Sequence, residues 1–214
     1  MFITFEGSEG SGKSTQIMMA AEYLKSLNYD VVVSREPGGT LIGEQVRACL
    51  HDVKNTDMTA EAEVLLYSAS RAQYVNEVIL PALEEGIVFL SDRYADSTIA
   101  YQGYGRGLDL EALRRIINFA TGGLKPQLTF LLEVDLTDGI ERREIGGSEM
   151  NRMDLQTISF YERVEKGYKA LVAAEPDRWV IIDGNQPKEF VQSEIRRVLI
   201  ERLESGPGQD KLID

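Results

Sequence analysis

Residues Phe2-Ile3-Thr4-Phe5 lead through Glu6 into Gly7-Ser8-Glu9-Gly10-Ser11-Gly12-Lys13-Ser14-Thr15, and from Lys13 onward Ile17, Ala20, Ala21, Leu24 and Leu27 recur at helical spacing. A short β-branched and aromatic run, a glycine-rich loop and an amphipathic stretch closed by Asn28 read as strand, turn and helix. The pattern G-x-x-x-x-G-K-[ST] in that setting is a phosphate cradle. Its glycines let backbone N–H groups wrap an anion, Lys13 neutralises the outer phosphates and Ser14 reaches Mg²⁺. A chance match at average residue usage has odds on the order of one in a hundred, and the correct flanks lower them further. Residues 7 to 15 are therefore expected to hold a nucleoside triphosphate with Mg²⁺.

Outward from this loop, further apolar runs stand at Val31–Val33, Ile87–Leu90, Thr129–Val134 and Trp179–Ile182, each separated by a longer stretch with helical periodicity. Alternation of this kind predicts an α/β fold, a five-stranded parallel sheet with helices on both faces. Thr59 is suited to cap a helix carrying Leu65, Leu66, Ala69, Ala72, Val75 and Ile79 inward, bent near Pro81 and stopped at Gly86. Later helices are expected at about 110–120, 137–144, 154–174 and 188–204. One domain over residues 1–204 follows, with 205–214 read as a flexible tail because glycine, proline and charge there show no period.

Composition narrows the function classes. With 35 acidic and 23 basic side chains the formal charge is −12, which argues against a non-specific nucleic-acid binder or a membrane-surface protein. No apolar run approaches the ~18–20 residues that span a bilayer, and no leader pattern points away from the cytoplasm. The lone Cys49 and lone His51 leave no internal disulfide and no Cys/His zinc site. His51 reads as an ordinary surface or capping histidine near a helix end. Arginine outnumbers lysine 15 to 8, a bias that suits small anions gripped through paired hydrogen bonds.

A phosphate loop alone does not separate a kinase from a switch or a motor. The guanine-reading Asn/Thr-Lys-x-Asp pattern is missing, and the third strand instead runs into Ser91-Asp92-Arg93-Tyr94. At the carboxyl end of a parallel strand, Asp92 can orient Mg²⁺ through its waters and Arg93 can clamp a second phosphate. Tyr67 and Arg71 lie four apart and share a helix face, so a base can stack on one and accept from the other. Ser97 with Tyr101 and Thr98 with Gln102 repeat the spacing on a short polar helix.

Arg35-Glu36-Pro37-Gly38-Gly39-Thr40, Gly43-Glu44-Gln45-Val46-Arg47, Leu66-Tyr67-Ser68-Ala69-Ser70-Arg71-Ala72-Gln73 and Asp92 to Gly103, taken with the phosphate loop, resemble the bacterial thymidylate kinases in order and spacing. The likeness reaches from Phe2 to Asp183-Gly184-Asn185-Gln186. It implies a P-loop nucleotide-kinase fold and transfer of the γ-phosphoryl group of ATP to dTMP. By the same resemblance Arg71 donates to the thymine 4-oxo group and Thr98, with Ser97 and Gln102, faces the base edge. Tyr101 lies under the sugar where a 2′-hydroxyl would clash, and Glu9 holds the acceptor 3′-hydroxyl. Arg47, Arg93 and Arg35, beside Pro37, surround the acceptor phosphate. Tyr67 stands where many members carry Phe and keeps the stacking face.

Family members differ in whether an extra arginine sits in the phosphate loop or in a short mobile lid. Ser8, Glu9 and Ser11 leave the loop without one, so the lid, about 142–154, is expected to supply it. Arg152 in Asn151-Arg152-Met153-Asp154 is the first candidate and Arg143 the second, with adenine stacking as its competing role, and Gly146-Gly147 read as the hinge. The resemblance further implies a homodimer. The competing readings are another small-molecule P-loop kinase, acting on a nucleoside or a different monophosphate, and a non-catalytic nucleotide-binding switch.

Overall fold

The computed structural model describes residues 1–145 and 151–204, so the Gly146-Gly147 hinge and the tail at 205–214 lie outside the described residues. Five strands, β1 (Phe2–Glu6), β2 (Val31–Arg35), β3 (Val88–Asp92), β4 (Leu128–Glu133) and β5 (Trp179–Asp183), form one sheet in the order β2-β3-β1-β4-β5. Every neighbouring pair is parallel, and Phe5 is in register with both Asp92 and Phe130. All carboxyl ends therefore point the same way, and Glu6, Arg35, Asp92, Glu133 and Asp183 close the strands along one rim. Ligands of open parallel sheets collect at that rim.

Two helices, α1 (Lys13–Ser26) and α9 (Lys188–Glu204), cover one face, packing Ile17, Ala20, Leu24, Ile195 and Leu199 onto Ile3, Phe5, Leu90 and Phe130. Asn28 ends the first turn-back with φ 66°, the left-handed cap expected of it. The opposite face carries α2 (Leu41–His51), α3 (Ala60–Tyr74), α4 (Leu80–Glu84), α5 (Ala95–Thr98), α6 (Leu110–Thr121), α7 (Leu136–Ile145) and α8 (Ile158–Ala174). Alternation along β1 sends Ile3 and Phe5 into the first core and Phe2 into the second, against Tyr74, Phe89 and Tyr94. The five strands, their parallel pairing and the two-sided helical cover agree with the sequence reading.

Three details differ. β1 and β5 extend one residue and β2 and β3 two residues past their apolar runs, with Glu6 and Asp92 keeping strand pairing while turning carboxylates into the rim. α8 begins at Ile158, capped by the Thr157 hydroxyl on Phe160 N–H, rather than near Asp154, whose carboxylate is engaged elsewhere. The third difference is in α3. Thr59 caps it as expected, accepting from Ala62 N–H, but Leu65 is 59% exposed and Ala69 is exposed, while Glu63, Val64, Ser68, Ser70, Arg71 and Tyr74 are buried. The inner face of α3 is mixed: Val64 and Tyr74 enter the core while Arg71 looks onto the polar cleft, and of the expected stripe Leu65 and Ala69 point outward. Val75 and Ile79 do turn inward, on a π-helical turn at Val75–Ile79 that takes up the bend ahead of Pro81. A second π-helical stretch, Ile99–Gly105, follows α5.

Candidate active site

The loop between β1 and α1 is held open by backbone that only glycine adopts readily. Gly7 has φ 136°, and a β-carbon there would run into Leu132 O; Gly10 at φ 74° approaches Gly139 as closely. Lys13 folds back over this loop, donating from Nζ to Gly7 O at 3.1 Å and Ser8 O at 2.7 Å. Burial lowers its pKa, and the nearby Arg93 charge adds to that. Gly7, Ser8 and Ser11 shape the loop from behind. Glu9, Gly10, Gly12, Lys13, Ser14 and Thr15 line a cleft of about 980 Å³. Ser14 Oγ donates to Asp92 Oδ2 at 2.8 Å.

Arg93 stands at the centre of the cleft. Its own φ is 71°, an uncommon conformation for a residue with a β-carbon, and it bends the chain as β3 leaves the sheet. The guanidinium donates to Glu9 Oε1 (2.7 Å), Tyr101 Oη (3.1 Å), Ser97 Oγ (3.1 Å) and Tyr168 Oη (3.3 Å), and lies 5.0 Å from the Tyr101 ring centroid. Burial would raise the Glu9 pKa, but Arg93, Lys13 and Arg143 together hold it down at about 2. Glu9 is thus an anion wedged among three cations.

Arg71 is 1% exposed, and its donors are almost fully used. Nε meets both Glu36 oxygens at 2.8 and 3.2 Å, Nη1 meets Thr98 Oγ1 at 3.0 Å and Nη2 meets Tyr94 O at 3.2 Å. Buried Glu36 precedes a cis peptide to Pro37. Tyr67, Arg71, Ser97, Thr98, Tyr101 and Gln102 all line the same cleft, so the residues read from helical spacing are brought together. Arg47 Nη1 donates to Pro37 O at 2.9 Å, while Arg35 reaches Glu44 at 3.0 Å on a half-exposed rim. Both arginines line the cleft, as does Pro37.

Arg143 and Arg152 part company. Arg143 sits beside Glu9 (3.6 Å) and is bound to both carboxylate oxygens of Asp154 at 2.6 Å, at the phosphate side of the cleft. Arg152 is turned away: its Nε donates to Leu50 O at 2.9 Å and its Nη2 is bound to Glu63, both buried. The sequence reading put Arg152 first and Arg143 second; here Arg143 lines the cleft, while a buried carboxylate on α3 claims the Arg152 guanidinium. Arg142 donates to Gly184 O at 2.8 Å, across from the phosphate loop.

Comparison with known proteins decides what this cleft belongs to. A family model described as thymidylate kinase matches residues 5–195. The thymidylate kinase of Roseiflexus castenholzii is 47% identical over 219 residues, covering 97% of this chain and 96% of that protein. The thymidylate kinase of Desulfovibrio desulfuricans is 48% identical over 209 residues, with 93% and 94% covered. The crystal structure of thymidylate kinase from Ehrlichia chaffeensis superposes with a TM-score of 0.75 at 35% identity, covering 93% of this chain and 98% of that one.

The chain belongs to the thymidylate kinase family.

It is accordingly a phosphotransferase, and the thymidylate kinase site contains groups that its sequence did not advertise. Glu6 ends β1 fully buried, accepting from Tyr94 N–H (2.9 Å), Ser97 Oγ (2.5 Å) and Tyr168 Oη (2.8 Å). Burial and the Asp96 charge push its carboxyl up to about 7, against the pull of Arg93. Glu36 and Glu63 are the buried counter-ions of Arg71 and of Arg106 with Arg152. A carboxylate inside an apolar strand was the only signal for Glu6; isolated acidic residues gave none for the others.

Ser14 and Asp92 fit Mg²⁺, since both are hard oxygen donors within hydrogen-bond distance of each other on the cleft wall. No group of three or more His, Cys, Asp or Glu side chains among the described residues forms a metal cage. Such an ion would take most of its ligands from phosphate and water, as Mg²⁺ does in nucleotide sites.

His51 ends α2, as the helix-end reading has it, but it is more than a surface residue. It lines the cleft, half-buried, and burial followed by the charges of Arg47 and Arg152 lowers its pKa to about 4. Between about pH 4 and pH 6.5 the unfolded chain therefore binds a proton there that the folded chain does not. This contribution to stability is present above pH 6.5 and is lost as pH falls toward 4. Thermal unfolding of His51→Gln should lose less stability than the unsubstituted protein over that interval. Parallel pH curves would contradict the placement.

Proposed function

We propose that this cleft transfers the γ-phosphoryl group of ATP to dTMP, giving dTDP and ADP for dTTP synthesis, within one domain over residues 1–204. The observation that carries this reading is a single cleft with Lys13, Ser14 and Asp92 at one end and Tyr67, Arg71, Thr98 and Tyr101 at the other, with Arg93 between them. Mg²⁺, held through Ser14 and the waters of Asp92, would neutralise the β- and γ-phosphates when bound. Tyr67 offers a stacking face, and Arg71, fixed by Glu36, offers its remaining guanidinium hydrogen to a base acceptor atom. Tyr101, tied to Arg93, closes the space beside the sugar.

A phosphate monoester has a second pKa of about 6, so its attacking oxygen is ionised at neutral pH and no general base is needed. Arg93, Arg47, Arg35, Lys13 and Arg143 would offset the repulsion between two polyanions. Coupled ADP formation against a panel of monophosphates and nucleosides tests the acceptor. We expect dTMP and dUMP well above UMP, and dCMP hardly used. UMP or AMP turned over as fast as dTMP would remove the acceptor assignment.

With ATP and dTMP as its substrates, we propose that the protein works in the cytoplasm. No helix among the described residues is long and apolar enough to cross a membrane. We further propose a homodimer. Leu41 on α2, Leu65 on α3 and Phe119 on α6 are 79%, 59% and 90% exposed, on helices that pack side by side. Apolar side chains so exposed on adjacent helices suit a self-complementary interface. Sedimentation should give a dimer that Leu65→Asp with Phe119→Asp converts to monomer; a monomeric parent protein would rule this out.

A further inference from the structure

Glu63, in the first turn of α3, is fully buried and is the common acceptor for three side chains from two other parts of the fold. Gln102 Nε2 donates to Oε1 at 2.7 Å, Arg106 donates to both oxygens at 3.3 and 3.0 Å, and Arg152 Nη2 is bound to Oε2. Gln102 lines the cleft on the acceptor side. Arg152 belongs to the loop at 151–157, and its backbone N–H is fixed as well, on His51 O at 3.1 Å.

Two residues further along the same loop, Asp154 takes Asn151 N–H at 2.7 Å and holds Arg143 through both carboxylate oxygens. Charge-assisted contacts therefore run from Gln102 through Glu63 to Arg152, the backbone at 152–154 carries the connection to Asp154, and Asp154 holds Arg143 beside Glu9. Burial would push the Glu63 carboxyl up, but the Arg106 and Gln102 hydrogen bonds and the charges of Arg106 and Arg152 outweigh it and hold the group ionised. An ionised buried carboxylate with several donors is a rigid fixture, because moving any partner leaves charge unpaired.

We infer that Glu63 is a positioning residue that sets Arg143 at the phosphate end of the cleft through Arg152 and the 151–157 loop, and ties that setting to Gln102 at the acceptor end. The inference rests on the proposed dTMP kinase reaction. Glu63 touches neither substrate; it acts through the arginine that does.

The test is a double-mutant cycle on kcat for dTMP, with the parent protein, Glu63→Gln, Arg143→Ala and the double variant. Gln has the size of Glu but offers one acceptor oxygen and no charge, so the Arg152 link is lost while the cavity stays filled. Glu63→Gln should slow the parent about tenfold, a mid-range effect for residues coupled through one network. In the Arg143→Ala background the same change should cost less than about twofold, since the residue it positions is gone. A merely structural role would give losses that multiply, and that result, or no loss in the parent, overturns the inference. If Glu63→Gln does not fold, Arg152→Met cuts the same link from the other side and carries the same pair of expectations. A parent protein that forms no dTDP would bring down the functional reading itself; dTDP formation with multiplying losses would bring down this inference alone.

Discussion

Replacing Lys13 by Ala is expected to lower turnover by at least ~100-fold with the fold intact, the usual cost of removing one electrostatic group from a transition state. Lys13 is a buried ammonium whose hydrogen bonds go to two carbonyl oxygens and a hydroxyl; burial and the Arg93 charge depress its pKa against the pull of Glu9, Asp92 and Glu6. Glu9 is the nearby counter-charge, and it is shared with Arg93 and Arg143. A triphosphate entering this loop replaces weak acceptors with full anions, so the interaction grows as charge shifts during transfer. The fold should survive because the loop is shaped by Gly7, Gly10 and Gly12 rather than by the lysine. Circular dichroism and a coupled ADP assay on the purified variant check both halves; near-normal turnover would remove the donor-site assignment.

The second large effect is expected at Arg143. Arg143→Ala should reduce kcat by ~100-fold or more with little change in the KM for dTMP, the pattern of an interaction made mainly in the transition state. Arg152→Ala should behave differently. It should slow kcat by only about tenfold, through Arg143, and should lower the melting temperature by several degrees because Glu63 loses a buried partner worth ~1–3 kcal/mol. Steady-state kinetics and thermal melts of the two variants give two orderings. If Arg152→Ala proves slower than Arg143→Ala at unchanged stability, the arginine roles are reversed.

These two arginines show where sequence reasoning stopped. The phosphate loop was legible because its chemistry is contiguous, and Tyr67 with Arg71 because helical spacing puts them on one face to which the family resemblance gives a role. Asp92 was legible because parallel strands end on one rim. The direction of the Arg152 guanidinium was not, since it is set by Glu63, 89 positions away in the chain. The burial of α3 failed for a related reason. Hydrophobic periodicity marks the face that avoids water, yet on α3 Leu65 and Ala69 turn outward while polar Glu63, Ser68, Ser70 and Arg71 share the buried side with Val64 and Tyr74. Glu6, Glu36 and Glu63 were missed because a single acidic residue carries no pattern; only packing shows that each holds an arginine or a hydroxyl in or behind the cleft.

The most direct measurement is the fate of the label from γ-³²P-ATP in the presence of dTMP and Mg²⁺, resolved by chromatography for the parent protein and Lys13→Ala side by side. The account predicts label in dTDP, formed one for one with ADP, with little inorganic phosphate and almost no product from the variant. Label appearing only in inorganic phosphate, or in dTDP at equal rates from both proteins, would contradict it.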